Sequence, residues 1–159
     1  MRLFSLPLFT AFVLLGCGET SPSQPEPPSD QGYRMTATVH VAPAAAPDST
    51  PTLVASVVLS GVSLSPVRLI VNHQCPVFLR LYALNAADTL PAYDEGNKGC
   101  TRMGETVEIP PLGSRTFTHQ LSLRELREAD VAPGRYVVHA VLVGGSEPRA
   151  VDAGEVEIP

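Results

Sequence analysis

Three cysteines, four histidines and one acidic stretch are the groups whose chemistry could define a site in this chain. A cysteine thiol can carry a lipid, close a disulfide or bind a metal. Cys17 stands far from Cys75 and Cys100, and there is no CxxC pair. The histidines are His40, His73, His119 and His139. Zinc requires three or four converging ligands, and no two of these histidines have the i, i+2 spacing that shares a strand face. The stretch holding Asp88, Asp94, Glu95 and Asn97 lacks the alternating oxygen ligands and closing glutamate of a calcium loop, and reads as a solvated turn. Serines are plentiful, but none stands in GxSxG and no nucleophile–base pairing is readable. These patterns lead us to expect no metal, no cofactor and no enzymatic activity.

The elements around Cys17 explain its position. Leu3 to Gly16 is an uncharged apolar run of 14 residues behind Arg2, with Pro7 inside it. A helical membrane span needs about 20 apolar residues, so this run suits the core of a signal peptide instead. An ordinary secretory leader shares these features up to its cleavage site. The tetrapeptide Leu14-Leu15-Gly16-Cys17 resembles the lipobox of bacterial lipoproteins. That resemblance implies a diacylglyceryl group on Cys17 and removal of residues 1–16. Gly18 follows where an aspartate would retain a lipoprotein at the inner membrane. In a Gram-negative cell the implied address is therefore the outer membrane, on its periplasmic or surface face.

With Cys17 committed to lipid, Cys75 and Cys100 form an even pair in an oxidising compartment. A structural disulfide between them is the expectation. Residues 18–32 contain four prolines and no large apolar side chain, so they read as a disordered tether. The mature chain has 10 basic and 16 acidic residues, a net charge of −6, and Lys98 is its only lysine. This excludes a nucleic-acid footprint. Tryptophan is absent, which weakens a carbohydrate-binding reading.

From Tyr33 the pattern turns to period two. Tyr33, Met35, Ala37, Val39 and Val41 alternate with polar residues, as in a strand with one wet face. Further strands are expected over 52–60, 67–72, 77–84, 106–109, 115–121, 135–143 and about 150–158. A helix near 122–130 is indicated by a capping box, Ser122 to Glu125, with Leu121 and Leu126 as its hydrophobic staple. Pro133-Gly134 is expected to close it. Glu125 and Glu128 can pair with the neighbouring arginines. Tyr136, just after Pro133-Gly134, suits a tyrosine corner, its hydroxyl bonding to upstream backbone.

Val71-Asn72, then Val77-Phe78-Leu79-Arg80-Leu81-Tyr82, Pro111-Leu112-Gly113 before Phe117, and Pro133-Gly134-Arg135-Tyr136 are together similar to the intracellular proteinase inhibitor (BsuPI-like) family. The resemblance spans about residues 53–143 and implies an immunoglobulin-like fold. In place of that family's tryptophan-containing middle segment stands Asp94-Glu95-Gly96-Asn97-Lys98-Gly99-Cys100. The fold is carried over; the family's activity is not.

The resulting expectation is an all-β protein, an immunoglobulin-like antiparallel β-sandwich of about 7–8 strands with one short helix. Residues 1–16 form the signal peptide, 17–32 the lipidated cysteine and tether, and 33–159 the domain. Its expected role is a non-catalytic binding or assembly module in the cell envelope. It would be monomeric, held to the membrane by its lipid, with another envelope protein as partner. Inhibition of an extracytoplasmic protease is the alternative. The long 85–103 segment supplies the binding-loop candidates Tyr93, Asp94, Glu95, Asn97 and Lys98, since long ordered loops are often functional.

Overall fold

Alternation of apolar and polar side chains builds strands here because successive side chains project to opposite faces. The computed structural model describes residues 32–46, 49–84, 90–96, 100, 103–144 and 148–159. The expected signal peptide, Cys17 and the tether up to residue 31 lie outside them. Among the described residues the elements run β1 (Tyr33–Ala42), β2 (Thr52–Gly61), β3 (Val67–Asn72), β4 (Val77–Ala83), β5 (Tyr93–Asp94), β6 (Gly104–Ile109), β7 (Ser114–Ser122), α1 (Leu123–Glu128), β8 (Gly134–Leu142) and β9 (Arg149–Ile158). The fold is all-β and antiparallel with one short helix, in a sandwich-like arrangement. The nine strands among the described residues exceed the expected number by β5, a two-residue strand inside the long 85–103 segment.

Three antiparallel groups share one core. They are ordered β1-β2-β7, β3-β6 and β5-β4-β8-β9. Leu53, Ala55, Val57 and Leu59 of β2 face inward and are fully buried. Leu79 and Leu81 of β4, with Val138 and Ala140 of β8, belong to the same buried cluster. Outward positions of the β1-β2-β7 group are polar or half-buried, so Thr38, Ser56 and Thr118 align across it. At the start of β4 the pattern differs, because Phe78 is buried although it faces away from Leu79. Arg80 covers it, with its guanidinium carbon 5.2 Å from the ring centre.

Two local devices redirect the chain. Asn72 ends β3 by accepting the backbone N–H groups of Gln74 (3.0 Å) and Cys75 (2.8 Å). This side-chain turn carries the chain from its pairing with β6 to the β4-β8 group. In β9 the register shifts opposite Val138 and His139. Gly154, at φ 110, adopts there a conformation open mainly to glycine, and Asp152 accepts its N–H at 2.7 Å.

The helix carries the expected capping box at Ser122 and Glu125, and its buried residues are Leu123 and Leu126. Its end differs from expectation. Asp130 stands at φ 58, three residues before Pro133. The Val131 N–H bonds the Leu126 carbonyl and the Asp130 N–H bonds the Arg127 carbonyl, both at 3.0 Å. That is a Schellman closure with aspartate in the left-handed position. Beyond it the Tyr136 hydroxyl donates to the Ala132 carbonyl at 2.6 Å, the upstream backbone bond expected of this tyrosine.

Candidate functional site

The open side between β7 and β5 gathers ionisable groups from two parts of the molecule. β5 pairs with β4 only through Arg80–Asp94 and Leu81–Tyr93. Just beyond it, Glu95 clasps β4 twice. Its N–H donates to the Leu79 carbonyl at 3.1 Å, and its carboxylate accepts the Leu79 N–H at 3.0 Å. From the facing strand, His119 points inward with the same parity as Phe117 and Leu121. Its Nε2 lies 2.9 Å from both Glu95 carboxylate oxygens. Both partners are part-buried. The pair therefore joins the edges of two strand groups that share no backbone ladder.

Tyr93 completes this corner. Burial leaves it 7% exposed. Burial, then the negative charges of Glu95, Glu125 and Asp94, push its phenol up to about 12, because each disfavours the phenolate. Asp94 faces outward, takes Arg80 as an ion-pair partner at 3.1 Å and accepts the Gly96 N–H at 3.0 Å. Cys75 and Cys100 are disulfide-bonded, with Cα atoms 5.8 Å apart. The bond holds residue 100 beside the start of β4.

The binding-loop candidates thus separate. Tyr93 is buried in the core. Glu95 is a strand-to-strand tie, contrary to the solvated turn expected of this stretch. Asp94 remains exposed and paired, while Asn97 and Lys98 lie outside the described residues. His119 joins the corner without a sequence signal beyond its inward parity, since its partner lies 24 positions away. Chemically, the corner offers a carboxylate held by one imidazole and one backbone N–H, which suits bracing. His73 makes a second such contact with Glu105 at 2.8 Å, but at the surface. Among the described residues, no group of three or more His, Cys, Asp or Glu side chains is gathered to hold a metal. No helix among them is long and apolar enough to cross a membrane.

No protein-family model matches the chain, and no curated protein matches it. Among solved structures, the Northeast Structural Genomics Consortium target SoR45 is similar at 13% identity and a TM-score of 0.39, over 81% of this chain and 87% of that one. A β-glucosidase from Kluyveromyces marxianus, in complex with glucose, is similar at 14% identity and a TM-score of 0.35. The overlap covers 78% of this chain and 14% of the glucosidase. At these scores neither likeness carries a functional argument.

Proposed function

We propose that the protein is a bacterial cell-envelope lipoprotein, anchored through Cys17, whose immunoglobulin-like β-domain is a non-catalytic binding or assembly module. The observation that carries this reading is the pairing of Cys75 with Cys100. It leaves Cys17 as the one cysteine outside that bond, directly behind an apolar leader. Disulfides persist in oxidising compartments, so the bond and the lipobox point to the same address. The Tyr136–Ala132 bond and the strand order support the immunoglobulin-like assignment. The Glu95–His119 pair, tied to both strand groups, supports a bracing role for the corner rather than turnover.

The alternative, protease inhibition through the 85–103 segment, draws on the disulfide that fixes one end of that segment. Titrating the purified full chain against a broad panel of extracytoplasmic proteases separates the two. The binding-module reading expects unchanged proteolysis at equimolar protein. Stoichiometric inhibition of any member, lost when Asp94 is changed to Ala, would replace it with the inhibitor reading.

A further inference from the structure

The domain's two ends differ in charge, and the one where the chain enters combines exposed apolar side chains with a basic excess. Gly32, the first described residue, accepts the Val62 N–H at 2.9 Å. This places the β2–β3 loop beside the point of arrival. The Gly61 N–H in turn donates to the Gly113 carbonyl at 2.8 Å, bringing in the β6–β7 turn. The packing is close, because a Cβ on Gly61 would stand 2.7 Å from the Pro110 carbonyl oxygen. Arg149, at the start of β9, reaches the same end, its guanidinium 5.5 Å from the centre of the Tyr33 ring.

Three large apolar side chains project from these loops. Leu64 is 85% exposed, Leu112 69% and Val62 47%. Leu112 is notable for its backbone. The Gly113 N–H closes a turn onto the Pro110 carbonyl at 3.0 Å, with Leu112 at its third position and at φ 52. Glycine or asparagine is favoured there, and a branched apolar residue adopts that conformation only at a cost. An exposed leucine in a strained position contributes nothing to the core, which points to a use outside the molecule.

Charge follows the same division. Arg34, Arg68, Arg115 and Arg149 stand at strand ends here, against Glu105 and Glu108 among the described acidic residues, and Arg68 pairs with Glu108 at 3.1 Å. At the opposite end the balance reverses, with Glu125, Glu128, Asp130, Glu155 and Glu157 against Arg124, Arg127 and Arg135. The whole chain is acidic, at −5, so the basic end stands out against it. A surface with apolar tips inside a basic rim is suited to an anionic bilayer, where apolar groups enter the headgroup boundary and arginines meet phosphates.

Resting on the lipid anchor at Cys17, we propose that this end docks on the membrane, with Leu64, Leu112 and Val62 inserted among the headgroups. Cys17 lies fifteen positions before Gly32, a covalent reach of at most ~50 Å. The loops lie where that chain arrives, so docking needs no reorientation of the domain. The tether then limits how far the domain departs, while the leucines set how it stands.

The absence of tryptophan gives a clean probe. Full-length lipidated protein carrying Leu64→Trp is reconstituted into phosphatidylglycerol-containing vesicles with brominated acyl chains. Leu90→Trp, at a second exposed leucine beyond the opposite end of β4, is the companion. The expected result is blue-shifted emission from the Leu64→Trp protein, quenched severalfold more than emission from the Leu90→Trp protein. Quenching of the first should weaken in pure phosphatidylcholine. Adding Leu112→Asn is expected to raise the melting temperature while reducing that quenching. Equal quenching in the two proteins, each shown by mass to be lipidated, overturns the docking and leaves the anchor standing. A blue shift without bromolipid quenching assigns the face to a protein partner and also overturns it. Protein lacking lipid at Cys17 overturns the anchor reading, and the docking falls with it.

Discussion

Tyr93, Glu95 and His119 show how much a single residue's surroundings decide. The Tyr93 phenol is pushed up to about 12 by burial and by nearby carboxylates, from about 10 in an unfolded chain. Between these values the folded protein holds a proton that the unfolded chain has released. This stabilisation of the neutral form is complete below about pH 10 and is lost as pH rises through about 12, with a slope up to ~1.4 kcal/mol per pH unit. Absorbance at about 295 nm, where tyrosinate absorbs and tryptophan is absent, should show a late phenolate step that Tyr93→Phe removes. His119→Ala should cost about 1–2 kcal/mol by urea denaturation, because it withdraws a charge-assisted hydrogen bond from a part-buried carboxylate. Combining it with Glu95→Gln should cost less than the two changes summed. Strict additivity would mean that the pair contributes nothing as a pair. Little of this corner is legible in the sequence beyond the inward parity of His119. A contact between residues 95 and 119 depends on how two strand groups face each other, which local pattern does not encode. The burial of Tyr93 is illegible for the same reason, since neighbouring Asp, Gly and Asn give its surroundings a loop-like composition.

At the scale of elements, local grammar is readable wherever it is strong. The alternation of β1 and β2 and the Ser122–Glu125 capping box identify their elements within a residue or two. The Tyr136 hydroxyl bond likewise follows from Pro133-Gly134 before it. β5 escapes notice because two residues have no period, and pairing with β4 alone makes them a strand. The helix end is missed because Asp130 occupies a position where glycine is the usual signal. Asp130→Gly should therefore stabilise the domain by about 0.5–1 kcal/mol, the relief of a left-handed Cβ offset by glycine's backbone entropy. Ser122→Ala should destabilise it by about 1 kcal/mol through loss of the cap. Thermal unfolding of the two variants should move the midpoint in opposite directions. Similar shifts for both would mean that helix termini do not control stability here.

For the molecule as a whole, one covalent bond and one proposed modification set its circumstances. The Cys75–Cys100 bond spans a sequence separation of 25, and closing such a loop contributes about 3 kcal/mol in the chain-entropy model. Reduction, or paired Cys75→Ala and Cys100→Ala changes, should lower stability by about that amount. A loss near zero would make the bond incidental to the fold. The proposed modification is the lipid on Cys17, which would set the compartment where that disulfide persists and the end of the domain that faces the membrane. Intact mass spectrometry of the full-length product extracted from cell membranes tests both together. The account predicts a chain that begins at Cys17, carries the added mass of a diacylglyceryl group or more, and has no free thiol at Cys75 or Cys100. A product that retains residues 1–16 with an unmodified Cys17 would contradict it.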